Sequence, residues 1–141
     1  MTQPDAPYRD PSLSPEQRVE DLLGRMSLED KAGLLFHDMV LIGPDATLVG
    51  EDNMIGRPAT VRAVQELRMT HFNLLGSPQN VRDLVGWYNR LQELATSTGL
   101  GIPVSLSTDP RHAFTDNVGT AARSGASKAA PMAMLSAAVN S

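Results

Sequence analysis

An α/β fold built on parallel strands is predicted by three features of this sequence. Residues 70–107 run as a short apolar segment, a long amphipathic segment and a second short apolar segment. Strand, helix, strand in that order implies parallel pairing through a right-handed crossover. Two helix starts sit back to back near the amino terminus. Apolar runs elsewhere are too short to cross a membrane, which takes about 20 residues.

The elements follow in order. Residues 1–13 carry Pro4, Pro7 and Pro11, which oppose early helix and predict an extended arm. Ser14-Pro15-Glu16-Gln17 offers a cap, a proline suited to the first helical position and a partner three residues on. Val19, Leu22, Leu23 and Met26 then recur at helical spacing. Ser27-Leu28-Glu29-Asp30 opens a second short helix through Leu28, Ala32 and Leu35. Phe36 to Ile42 reads as a strand, followed by a turn at Gly43-Pro44-Asp45. Val61 to Arg68 fits one or two helical turns, and Thr70 to Leu75 a buried strand. After Ser77-Pro78-Gln79-Asn80, the residues Val81, Leu84, Val85, Tyr88, Leu91 and Ala95 mark one face of a helix that stops near Gly99 or Gly101. Ile102 to Ser107 is the closing strand. The tail changes character, with eight alanines and four serines among residues 121–141, so residues 126–141 are expected to be disordered or weakly helical.

Composition narrows the function. The 141 residues are 41% hydrophobic and 20% charged, which is globular composition. A formal charge of -4 argues against nucleic acid, whose binders carry a basic face. Without cysteine there is neither disulfide nor thiolate metal site. Only His37, His71 and His112 could supply imidazole, so no metal or other cofactor is expected. Residues 1–10 lack the apolar core of a signal peptide, and a cytoplasmic location without membrane contact is the expectation. Glycine-rich phosphate loops and the GxSxG elbow are also missing.

Ligands of parallel α/β folds sit beyond the carboxyl ends of the strands. The segment after residue 107 therefore holds the candidates: Asp109, Arg111, His112 and, farther on, Asp116. An ionised carboxylate there can accept hydrogen bonds from two sugar hydroxyls. Asp109-Pro110 is equally a turn or helix-cap pair, and a lone histidine such as His112 is more often structural than functional.

The run Ser14 to Lys31, SPEQRVEDLLGRMSLEDK, resembles the opening of family 3 glycoside hydrolases, R-V-x-D-L-L-x-x-M-T-L-E-E-K, with Ser27 and Asp30 as mild changes. Asn80 to Ala95 resembles the family's next helix. Gly101-Ile102-Pro103-Val104 followed by Asp109-Pro110-Arg111-His112 resembles its G-I-P-V and D-x-x-H motifs. The resemblance covers residues 8 to about 125 and implies a retaining β-glucosidase or β-xylosidase on a (β/α)8 TIM-like barrel. It assigns Asp109 to the nonreducing-end sugar and puts His112 at the motif's His position; from the residues themselves, Arg111 and His112 are the expected donors to further hydroxyls or to that carboxylate.

The family's Lys-His pair, nucleophilic Asp and acid/base are not matched here. Since such a barrel takes about 250 residues, the resemblance implies its amino-terminal portion only. Residues 14–125 would supply two or three strands, preceded by the arm and helices, and the chain alone would be inactive. A truncated or altered reading of a longer gene is the expectation, with self-association through an exposed strand edge. A noncatalytic carbohydrate-binding or interaction module is the alternative.

Overall fold

The computed structural model describes residues 6–51, 56–75 and 80–107. Helices α1 (Pro15–Arg25) and α2 (Leu28–Gly33) precede three strands, β1 (His37–Leu41), β2 (His71–Leu75) and β3 (Ser105–Ser107). Helix α3 (Thr60–Gln65) joins β1 to β2, and α4 (Val81–Thr96) joins β2 to β3. The strands lie in the order β1-β2-β3, and both pairs are parallel. The α/β prediction with parallel pairing holds.

The helix starts form as their residues dictate. Ser14 Oγ accepts from the Gln17 amide at 3.3 Å, while the Gln17 side chain accepts from the Ser14 amide at 3.0 Å. Ser27 and Asp30 repeat the arrangement at 3.1 and 2.9 Å. Each reciprocal box satisfies two amides that helix geometry leaves without partners. Helix α4 is capped by Asn80, whose Oδ1 accepts from the Asp83 amide at 2.9 Å.

Several boundaries depart from the sequence expectation for local reasons. Within the arm, Pro7–Arg9 wind into a 3-10 turn. Tyr8 Oη donates to the Leu100 carbonyl at 2.7 Å, and Arg9 Nη2 reaches the same oxygen at 2.8 Å. The last strand begins at Ser105 rather than Ile102. Pro103 has no amide to give to a ladder. The Val104 peptide pairs with the Gln92 side chain, which accepts from its N–H at 3.0 Å and donates to its carbonyl at 2.7 Å.

Alternation along the strands separates two faces. Val40, Phe72 and Leu74 are buried and pack with Leu84, Trp87, Leu91 and Ala95 of α4 and with Ala63 and Val64 of α3. Trp87 is fully buried in this core, three residues after Leu84 and four before Leu91, whereas Val85 and Tyr88 of the expected stripe are only half-buried. The opposite face carries His37, Met39, Leu41, His71, Asn73, Leu75, Ser105 and Ser107. None of these is buried. The apolar face expected on α1 is also left open, since Val19 and Leu23 are exposed and only Met26 beyond the helix is buried.

Candidate functional site

All three strands point their carboxyl ends the same way, so Leu41, Leu75 and Ser107 define one rim of the sheet. Asp109, Arg111 and His112, the predicted substrate contacts, lie outside the described residues, as does Asp116. The described sheet leads to them: β3 ends at Ser107, paired in register with Asn73, and Asp109 is two residues farther along the chain.

The open face below that rim is polar. His37 Nε2 lies 2.9 Å from Ser107 Oγ, and Thr70 Oγ1 lies 2.9 Å from His71 Nδ1. Asn73 Oδ1 is shielded from solvent yet has no hydrogen-bond donor among the described residues. Burying an amide oxygen without a partner costs roughly 1–3 kcal/mol, which is a reason for a donor to be brought to it. Sequence reasoning took Thr70 to Leu75 as simply buried and passed over His71 and Asn73. Their alternation with Phe72 and Leu74 was the available signal of a second, polar face.

Among the described residues no group of three or more His, Asp or Glu side chains gathers as a metal site would require. A cleft of about 290 Å³ lies at the other end of the sheet, where Met69, Thr70 and Ile102 precede the strands. Arg25, Asp30 and Arg68 line it, but Arg68 is 3.7 Å from Asp30 and Arg25 is 2.8 Å from Asp21. The first pair ties the 67–68 turn to α2 and the second lies within α1, and the position is opposite to the ligand-binding end of parallel α/β folds.

The perturbed carboxylates likewise serve local structure. The Arg25 guanidinium holds Asp21 below its ordinary value. Main-chain amides at the helix starts, aided by Ser14 and Ser27, do the same for Glu16 and Glu29. Ser12 lowers Asp10 through its side chain and then its amide.

Comparison with known proteins finds relatives for most of the chain. Over 118 residues, 84% of this chain, the sequence is 47% identical to a probable β-glucosidase C of Aspergillus flavus. The chain is similar to part of that β-glucosidase. The β-glucosidase C of Emericella nidulans is 42% identical over 121 residues, and a periplasmic β-glucosidase/β-xylosidase of Dickeya chrysanthemi is 34% identical over 113. No protein-family profile matches the chain. This β-glucosidase homologue spans about 18% of the length of the Aspergillus and Emericella relatives and 17% of the Dickeya protein. No described helix is long and apolar enough to cross a membrane.

Proposed function

We propose that this chain is the part of a retaining family 3 β-glycosidase that holds the nonreducing-end sugar, and that the bond-breaking carboxyl pair comes from other polypeptide. The identity of 42–47% to β-glucosidases over 84% of the chain carries the reading. In it, β1, β2 and β3 are the first strands of a (β/α)8-type barrel. Asp109 accepts hydrogen bonds from two adjacent sugar hydroxyls, while Arg111 and His112 donate to others or orient its carboxylate. The polar groups beside β3 support this role, because Ser107 Oγ and His37 Nε2, 2.9 Å apart, are of the kind that hydroxyl-rich ligands use.

Chemistry needs more than binding. Retaining hydrolysis takes one carboxylate as nucleophile and a second as acid/base, about 5–5.5 Å apart across the glycosidic bond. The motif match gives Asp109 to sugar binding and assigns no second carboxylate in this sequence. The chain alone therefore binds without turnover. Purified chain incubated with an aryl β-glucoside tests this directly. No release of the aryl alcohol is expected. Turnover that disappears in Asp109→Ala would overturn the assignment. A glucose titration followed by calorimetry tests the binding step. Saturable binding lost in Asp109→Ala is the expected result, and binding indifferent to that change would refute the role given to Asp109.

A further inference from the structure

A side-chain bond joins two strands of the sheet that are not neighbours. The order is β1-β2-β3, so β2 lies between the outer two and no ladder connects them. Strands stand about 4.8 Å apart, which separates β1 from β3 by roughly 9.6 Å. His37 of β1 nevertheless places Nε2 2.9 Å from Ser107 Oγ at the end of β3. The bond crosses the open face of β2, opposite the one packed on α3 and α4.

Other polar groups on that face are directed elsewhere. His71, in register with His37, has Nδ1 2.9 Å from Thr70 Oγ1. Asn73 is the register partner of Ser107, yet its Oδ1 receives no donor from the described residues. Ser107 thus takes its side-chain partner from the farther strand. The consequence reaches past the sheet, because β3 has only three residues and Ser107 is the last of them. Asp109 follows two residues later in the sequence.

Depth decides how His37 acts. It opens β1, and the rim residue Leu41 stands four residues farther along. At about 3.3 Å per residue, that is roughly 13 Å below the end where ligands of parallel α/β folds bind. Ser107 is two residues nearer that end, level with Asn73 and Met39. We infer that His37 is a positioning residue for the sugar site: it orients the Ser107 hydroxyl and holds the end of β3 from which Asp109 follows, without touching the sugar. The inference rests on the β-glycosidase reading above. Either ring tautomer serves, since Nε2 can accept from the hydroxyl or donate to it.

The test uses the full 141-residue chain and two readouts, glucose affinity by calorimetry and amide exchange at Leu106 and Ser107 by NMR. His37→Ala should weaken glucose binding about fivefold and speed exchange at both amides by a similar factor, the size of one lost hydrogen bond. Ser107→Ala breaks the same bond from its other end and should change both at least as much. His37→Gln, which presents a nitrogen at similar reach, should restore both readouts. Adding His37→Ala to Ser107→Ala should cost nothing more, because residues that act through one shared bond are not additive. Met39→Ala, an exposed change on the same strand, should leave affinity and exchange unaltered. If either readout stays at its wild-type value in His37→Ala, the inference is overturned. A further loss of affinity in the double variant would also overturn it, since His37 would then meet the sugar itself. A wild-type chain that binds no glucose would instead sink the glycosidase reading, and the exchange rates alone would decide whether His37 holds the end of β3.

Discussion

Gly33 closes α2 with no room for a side chain. A methyl group there would lie 2.3 Å from the Arg68 carbonyl oxygen, 2.5 Å from its carbonyl carbon and 2.7 Å from the Leu67 carbonyl oxygen. Favourable contact begins near about 3.5 Å, so Gly33→Ala demands that α2 or the 67–68 main chain retreat by roughly 1 Å. Neither can do so easily. Arg68 already sits at φ 57°, a left-handed conformation that non-glycine residues seldom adopt, and its side chain is tied to Asp30 at 3.7 Å. Overpacking costs about 1–3 kcal/mol, and an obstacle made of main chain places this case near the top of that range. At roughly 4 °C per kcal/mol for a domain of this size, the melting temperature should fall by about 12 °C. Gly24, the penultimate residue of α1, has nothing within 4 Å of the same added atom. Gly24→Ala should therefore raise stability by about 0.5–1 kcal/mol through helix preference alone. Far-UV circular dichroism on the two variants reads both shifts. A Gly33→Ala melting point within about 2 °C of wild type would refute the close approach of α2 to the 67–68 turn.

Other perturbations have equally definite signs. Trp87→Ala should cost about 3–5 kcal/mol, and in the native chain the buried indole should emit at short wavelength and shift to the red on unfolding. A native emission maximum already typical of exposed indole would contradict its place in the core. Ser27→Ala removes the acceptor for the Asp30 amide and should cost about 1 kcal/mol in urea unfolding, with Ser27→Gly costing less. The lowered values of Asp10, Glu16, Asp21 and Glu29 mean that folding favours their ionised forms. Their contribution is present above the ordinary values of 3.8 and 4.5 and is lost as pH falls through and below them. Asp21→Asn should flatten that acid limb, measured as melting temperature against pH, and an unaltered slope would count against the Arg25 pairing.

Much of this fold could be read from residue order because local signals and packing agree. The two Ser-led capping boxes, the Asn80 cap and the apolar spacing of Leu84, Leu91 and Ala95 each specify an element without reference to distant residues. What escaped was set by long-range contact. Trp87 is the exception: three residues after Leu84 and four before Leu91, it lies on their face by spacing alone, whereas Val85 lies roughly 200° round the helix from it and is only half-buried. The late start of β3 depends on the Gln92 side chain occupying the Val104 peptide, a contact between residues on different elements. The open face of α1 was illegible for another reason: periodicity shows that a helix has an apolar side but not whether anything covers it. The D-x-x-H residues that follow β3 in the sequence were legible only as a motif, and Asp109, Arg111 and His112 lie outside the described residues. The polar face beside it was written into β2 as the alternation His71, Asn73 against Phe72, Leu74.

The bond from Tyr8 to Leu100 joins residues 92 positions apart. On a ribosome adding about 5–20 residues per second, α1 emerges roughly 5–20 s before the carbonyl that anchors its preceding turn has been made. During that interval the Tyr8 hydroxyl and the Arg9 guanidinium lack the carbonyl they bond in the folded chain. A nascent chain stalled before Leu100 should leave this front segment accessible to a protease or a chaperone, and one released after it should not.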